Sequence, residues 1–248
     1  MAAARRRALL LDYDGTLAPL TSDRAHAVPY PGIRAALTTI ALARRRTTVW
    51  IVSGRTVADL ARLVGLERLV DLWGSHGMER RSRHGRSTGV PAVPTADAFL
   101  DGVAVALERG GAGALVERKP YGLALHGRGA DPGTWREASA LLQELSAEAA
   151  GHGLALAEFD GGLELRPRGF HKGLVVESAF AEFGADAAVA YLGDDRTDED
   201  AFAALRGRGL PVLVRSAARH TAAEEWLRPP AEVLEFLAGW TAACLAPS

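Results

Sequence analysis

Residues 9–17 read LLLDYDGTL. Three leucines run straight into two aspartates one residue apart, then a glycine and a threonine. A short apolar run bounded by turn residues reads as a buried strand. Asp12 and Asp14 then fall just beyond the strand's C-terminal end. A lone DYDGT can also be an ordinary turn, since Asp and Gly are common turn residues. The rest of the chain decides between a turn and a site.

Outward from this stretch, strand and helix signals alternate. The helical spacing over 31–45 has Ile33, Leu37, Ile40 and Leu42 apolar, and 48–52 is a second strand stopped by Ser53-Gly54. A helix is predicted over 56–64 and a third strand over 69–73. Far downstream come a helix over 174–183, a strand over 189–192, a helix over 199–205 and a strand over 210–214. This alternation predicts an α/β fold with a parallel sheet covered by helices on both faces. The middle reads differently. Helices over 96–108 and 134–149 alternate with strand pairs at 114–117 and 121–126, then at 154–158 and 163–166. Lys119-Pro120 joins the first pair, and Asp160-Gly161-Gly162 is a hairpin signal for the second. A small α+β layer is therefore expected as an insert over 80–168, with the core built from 1–79 and 169–248. Pro229-Pro230 is expected to separate the last core element from a C-terminal helix.

Composition sets the limits. The chain has 248 residues, 48% hydrophobic and 24% charged, enough for a sizeable core. Its formal net charge of −1 shows no basic excess that would point to nucleic acid. Arg5-Arg6-Arg7 and Arg44-Arg45-Arg46 read as solvated ends of elements. A single cysteine, Cys244, excludes an internal disulfide framework and a Cys-based metal site. The first strand begins almost at once, which leaves no room for a signal peptide, and no long uncharged apolar stretch suggests a membrane span. The expectation is a cytoplasmic monomer with neither a nucleic-acid nor a membrane partner.

In a parallel sheet, ligands gather beyond the C-terminal strand ends. Asp12 and Asp14 lie at one such end, and Asp194 and Asp195 lie at another, past the strand at 189–192. If those strands are neighbours, three or four carboxylates meet in a small volume. They repel one another unless a hard cation sits among them, and oxygen ligands favour Mg²⁺. GDDRTDED can also cap a helix, since Thr197 and the acids after it suit a helix N-terminus. The two readings are compatible for residues 198–200 and less so for Asp194 and Asp195.

DYDGTL resembles the first motif of the haloacid dehalogenase (HAD) superfamily of phosphatases. Ser53 in VSGR, Lys172 in FHKG and GDD at 193–195 stand in the order of its other motifs. More narrowly, SGR, GSHGME, ERKPYGLALH, ELRPRGFHKG and GDDRTDEDAF resemble the trehalose-6-phosphate phosphatase family, over nearly the whole chain. The resemblance implies a HAD-like Rossmannoid core with an inserted α+β cap of the C2B type. It implies that Asp12 attacks phosphorus to form an aspartyl-phosphate, and that Asp14 protonates the leaving sugar oxygen and later takes a proton from water. Mg²⁺ is expected on Asp12, the backbone carbonyl of Asp14, and Asp194. Ser53 would donate to the phosphoryl group and Lys172 would set an ammonium against it. Asp195 and Asp198 would orient Lys172 or the metal's waters, with no preference between them.

For the substrate, the resemblance points to Gly15 and Thr16 in the tight turn, to Gly54 and Arg55 of SGR, and to His76 beside Gly77, placed at the core-to-cap hinge. From the cap it favours Arg118, Lys119, His126 and Glu164, with Arg166 and Glu117 near them. Strand alternation requires that about half of these charged residues face away from the others. The stretch at 80–86 reads as an exposed turn. The leading function is hydrolysis of trehalose 6-phosphate, acting on a diffusible product, since no fused synthase segment is seen. The alternative keeps the chemistry and changes the substrate to another sugar phosphate, or to a pseudo-disaccharide phosphate of the validoxylamine type. A phosphomutase sharing the cap, and a catalytically dead sugar-phosphate sensor, are the readings from other classes.

Overall fold

The apolar run folds as read, into β1 (Arg7–Asp12), every residue of which is buried. The computed structural model describes residues 6–21, 23–43, 47–91 and 93–245. Arg5 and the run at 44–46 lie outside the described residues. After β1 come α1 (Ile33–Leu42), β2 (Thr47–Val52), α2 (Val57–Val64), β3 (Asp71–Gly74), β4 (Glu79–Arg81) and β5 (Ser87–Gly89). An inserted segment carries α3 (Pro94–Arg109), β6 (Val116–Arg118), β7 (Leu123–His126), α4 (Pro132–Ala149), β8 (Leu154–Phe159) and β9 (Gly162–Pro167). The chain then returns through α5 (Lys172–Phe183), β10 (Ala188–Gly193), α6 (Glu199–Leu205), β11 (Leu210–Val214), β12 (Glu225–Leu227) and α7 (Ala231–Leu245).

These elements form two units, one running to Gly89 and resuming at His171, the other spanning Val90–Phe170. The insert therefore starts later than the expected residue 80. The reason is β4 and β5, which extend the core sheet as antiparallel strands beside β3. Their sequence carries no apolar alternation, so nothing in it signals a strand. Instead, the guanidinium of Arg80 lies 4.8 Å from the ring centroid of Trp50 and 4.9 Å from that of Trp73. Its Nη2 reaches Asp71 at 2.7 Å and Glu182 at 2.8 Å. An arginine covering aromatic faces does the work of an apolar residue here. Of the expected exposed turn at 80–86, residues 80 and 81 finish β4, and the turn occupies 82–86, where Gly85 N donates to Ser82 O.

The core sheet runs in the order β12-β11-β10-β1-β2-β3-β4-β5. All pairs from β12 to β3 are parallel. Side chains alternate across it, as the two-residue period of a strand requires. Leu9 and Leu11 pack with α1 and α7 residues such as Ile33, Leu37, Val233 and Leu237. Ala8 and Leu10 pack on the other face with Val175, Val176 and Phe202 of α5 and α6. Arg7 is buried within this layer, its Nη1 donating to Ala243 O at 2.7 Å, so that residue is not a solvated end. Cys244 is buried too, its Sγ 3.1 Å from Thr47 Oγ1.

From β1 the chain moves one way through β2 and β3. On its return it moves the other way through β10, β11 and β12. The strand order therefore reverses between β1 and β10, and such a switch point opens a crevice at the carboxyl ends of the two strands. Leu11 pairs with Leu192, which sets the ends of the two strands side by side.

The inserted unit is a four-stranded antiparallel sheet, β6-β7-β9-β8, with α3 and α4 on one face. Leu123, Leu125, Leu163 and Leu165 face the helices and pack with Leu100, Val103, Leu107 and Leu142. Glu117, Ala124, Glu164 and Ala157 stand in cross-strand register on the opposite face. Among the described residues, no helix is long and apolar enough to cross a membrane.

Candidate active site

Three segments bring their acids together at the switch point. Asp12 ends β1, Asp194 follows β10, and Asp198 closes the turn Arg196–Asp198. One carboxylate oxygen from each lies within 4.8 Å of the others, and all three residues are buried. Lys172, the first residue of α5, projects into the same cluster. Its Nζ donates to Asp12 Oδ1 at 2.6 Å and to Asp198 Oδ1 at 2.7 Å. The approach between the first and last motifs is tight: a Cβ on Gly15 would lie 2.1 Å from Asp194 Oδ2. Gly15 also takes φ +82°, so both space and backbone demand glycine there.

Asp198 is the hub of this arrangement. Its Oδ1 accepts from Lys172 and, at 2.6 Å, from the Tyr191 hydroxyl. Its Oδ2 accepts from the backbone N–H of Asp194 at 3.0 Å and of Asp195 at 2.9 Å. Asp195 instead caps the following turn, accepting from Arg196 N, and the two aspartates form a reciprocal capping box. Asp198 thus both takes part in the cap and contacts Lys172 within the buried cluster.

Electrostatics set the fit for a cation. Burial pushes the Asp12 carboxyl well above its usual range; Lys172 pulls it down and Asp198 raises it again. Burial also pushes Asp194 up, with Asp12, Asp198 and Asp195 adding to it. For Lys172, burial works against the ammonium, and Asp12 and Asp198 overcome it, leaving its pKa raised. Three carboxylates facing one ammonium leave two negative charges when all are ionised. Among the described residues, Asp194 Oδ1 is buried with no hydrogen-bond partner. An orphaned buried carboxylate oxygen in a doubly negative, all-oxygen cluster fits a hard divalent ion. Asp198 has both oxygens engaged already, so Asp12 and Asp194 are the better placed to hold one.

The second strand end supplies the other residues. Thr56 caps α2 by accepting from Asp59 N at 3.1 Å, which leaves Ser53 without that task. Ser53 is buried, and its Oγ accepts from Arg55 N at 3.1 Å. The guanidinium of Arg55, a residue expected at the substrate, takes both oxygens of Asp14, Nε at 2.7 Å and Nη2 at 2.6 Å. Its Nη1 donates to Arg24 O at 2.8 Å. A planar fork matched to a carboxylate in this way is a strong, directional contact. Thr16 is fully buried, and its Oγ1 has no hydrogen-bond partner among the described residues.

Ser75 and His76 both adopt left-handed φ, +48° and +57°, which costs non-glycine residues free energy. The turn is held in place by Ser75 N donating to Arg55 O at 2.7 Å and His76 N donating to Ser53 O at 3.0 Å. The Ser75 hydroxyl also donates to Glu79, whose other oxygen accepts from Val57 N. His76 thereby lies across Gly54, where a Cβ would come within 2.6 Å of its Nε2. It sits inside the core unit, since β4 and β5 intervene before the insert, and is not at a hinge.

In the inserted unit the expected group divides. Arg118 lies on the helix face and pairs with Asp101 at 2.8 Å and Asp97 at 2.9 Å, both on α3. It is a fastener between β6 and α3 and does not join the others. Lys119 Nζ donates to Glu164 Oε1 at 2.8 Å, and His126 Nε2 pairs with Glu117 Oε2 at 2.8 Å. Arg166 is opposite Ala155, on the same face as Glu164. Glu117, given little weight from sequence, belongs with this open face. Cross-strand pairing decides it: Arg118 is opposite Leu123, a helix-facing residue, and Glu117 is opposite Ala124.

This fold is similar to that of a haloacid dehalogenase-like hydrolase from Bacteroides thetaiotaomicron, which superposes with a TM-score of 0.67 at 16% identity, covering 94% of this chain and 99% of that one. The trehalose-phosphatase family model matches residues 10–228, and the chain belongs to that family. It is 35% identical to the trehalose-phosphate phosphatase of Mycolicibacterium paratuberculosis over 94% of this chain and 62% of the relative. To the trehalose 6-phosphate phosphatase RA3 of Zea mays it is 34% identical, over 96% and 71% respectively. The chain thus spans a little under two thirds of the length of the mycobacterial relative. Among solved structures, the C-terminal domain of the C. albicans trehalose-6-phosphate phosphatase superposes with a TM-score of 0.83 at 25% identity, covering 96% of this chain and 93% of that one.

Proposed function

We propose that this chain is a Mg²⁺-dependent phosphatase that hydrolyses trehalose 6-phosphate to trehalose and phosphate through an aspartyl-phosphate. The observation that carries the chemistry is the buried convergence of Asp12, Asp194 and Lys172 at the switch point of the sheet. Family membership and the trehalose-phosphate relatives support the choice of substrate. The cytoplasmic location and monomeric state expected from the sequence belong to the same proposal.

In this reading Asp12 attacks phosphorus, and the bond from phosphorus to the sugar oxygen breaks as Asp14 protonates that oxygen. Water then attacks the phosphoryl group on Asp12 and gives its proton to Asp14, which releases phosphate and restores both carboxyl groups. Ser53 and Lys172 donate to the phosphoryl oxygens. Mg²⁺, held by the carboxylates of Asp12 and Asp194 and the backbone carbonyl of Asp14, would neutralise the phosphoryl charge and make phosphorus electrophilic. The open face of the inserted sheet, with Glu117, Lys119, His126, Glu164 and Arg166, suits sugar hydroxyls.

The test is phosphate release from trehalose 6-phosphate, sucrose 6-phosphate, glucose 6-phosphate and a pseudo-disaccharide phosphate, with and without Mg²⁺. Trehalose 6-phosphate is expected to lead in kcat/KM by at least about tenfold, with activity lost on chelation. A preference for glucose 6-phosphate would overturn the substrate and leave the chemistry standing.

Arg55 serves this chemistry by holding Asp14. Arg55→Met is expected to lower kcat on trehalose 6-phosphate by about 10²-fold, the scale of a displaced acid–base group. Release of p-nitrophenol from p-nitrophenyl phosphate in the first turnover, a leaving group that needs no proton, should slow less than about threefold. A first-turnover loss as large as that on trehalose 6-phosphate would remove Arg55 from the acid–base role.

A further inference from the structure

The loop that carries Asp194 is pinned from two sides, and only one side comes from the acidic motif. Asp198 takes the backbone N–H groups of residues 194 and 195. The carbonyls of the same two residues are taken by arginines from the segment after β11. Arg215 Nη1 donates to Asp194 O at 3.1 Å, and Arg219 Nη2 donates to Asp195 O at 2.8 Å.

Both arginines are themselves anchored. Arg219 Nη1 pairs with Glu199, whose carboxylate also accepts from the Thr221 hydroxyl and from Ala222 N, each at 2.8 Å. Glu199 therefore ties the start of α6 to the segment 219–222 and balances the charge of Arg219. Arg215 is fixed through its backbone: its N donates to Leu227 O at 2.9 Å, and its carbonyl accepts from Trp226 Nε1 at 2.9 Å. The short edge strand β12 thus has a task beyond closing the sheet.

We propose that Arg215 and Arg219 form a backbone clamp that positions the Asp194 carboxylate for the divalent ion. The inference rests on the metal reading given above. Each arginine donates to a peptide carbonyl of the loop and acts through it on Asp194, so both are positioning residues. Orientation of a metal ligand by its hydrogen-bonded surroundings typically governs affinity by about 10–100-fold. Loss of both clamps frees two carbonyls at the point where the chain turns from β10 into the site, while the N–H contacts to Asp198 remain.

Calorimetric titration of the full chain with Mg²⁺ tests this, using wild type, the double variant Arg215→Gln/Arg219→Gln, and Asp194→Ala. The double variant is expected to bind Mg²⁺ at least about tenfold more weakly than wild type. Its kcat on trehalose 6-phosphate should return to within about twofold of wild type once Mg²⁺ is raised to saturation, which a merely structural defect would not allow. Mg²⁺ affinity within twofold of wild type would overturn the clamp, as would a kcat loss that added Mg²⁺ does not repair. If the double variant does not fold, each single substitution is titrated instead, with at least about threefold weakening expected and unchanged affinity in both overturning the clamp. The two readings fail differently. Wild type that binds no Mg²⁺ removes the metal reading and the clamp with it. Binding that is lost in Asp194→Ala but intact in the arginine variants removes the clamp alone.

Discussion

Asp12→Asn is expected to reduce phosphate release from trehalose 6-phosphate by at least about 10⁴-fold, the scale on which loss of a covalent nucleophile acts. The amide is nearly isosteric with the carboxylate but cannot attack phosphorus. The fold should survive the change. In the protein the charged form of Asp12 is opposed first by burial and also by Asp198, so a neutral side chain relieves part of that cost while giving up the contact with Lys172. A melting temperature within a few degrees of wild type is the expected companion result. Mass spectrometry of the wild type quenched during turnover should find a phosphoryl group on Asp12 and on no other residue. Turnover of the variant near the wild-type rate would end the covalent mechanism.

Lys172→Met carries the largest expected effect on stability. The substitution keeps the length of the side chain and removes the cation from between Asp12 and Asp198. All three residues are buried, with Asp198 fully so. Breaking a buried ion pair by removing one partner typically costs about 3–5 kcal/mol, because the remaining charge has lost its compensation. For a chain of this size that corresponds to roughly 6–20 °C in Tm. The loss should shrink as pH falls. Asp12 has a folded pKa raised above its unfolded value, so the folded state binds that proton more tightly and gains stability on acidification. Removing Lys172 raises it further and brings that relief on at higher pH. Thermal unfolding at two pH values measures both effects. A Tm change under about 2 °C at neutral pH would show that Lys172 does not hold the cluster together.

Other parts of the site respond to features that no local pattern announces. Arg55 was legible as part of SGR, but its bidentate hold on Asp14 joins residues 41 positions apart. Glu199 read as a helix-start acid, and its second role as the anchor of Arg219 depends on where the segment after β11 returns. Tyr191 read as a strand residue, and its hydroxyl proves to be a donor to Asp198.

The sequence by itself determined the strand–helix alternation, the insertion of an α+β unit, and the placing of aspartates at the ends of two core strands. These are local properties: apolar runs of strand length, turn residues at their ends, and helical spacing between them. Only the tertiary structure decided which charged residues share a face. Arg118 and Glu117 are neighbours in the chain, yet strand pairing sends one to α3 and the other to the open sheet. The same holds for β4, where Arg80 is a strand residue because Trp50 and Trp73 lie beneath it. Register and cross-strand partners are set by the whole sheet, and a one-residue shift would reverse every assignment.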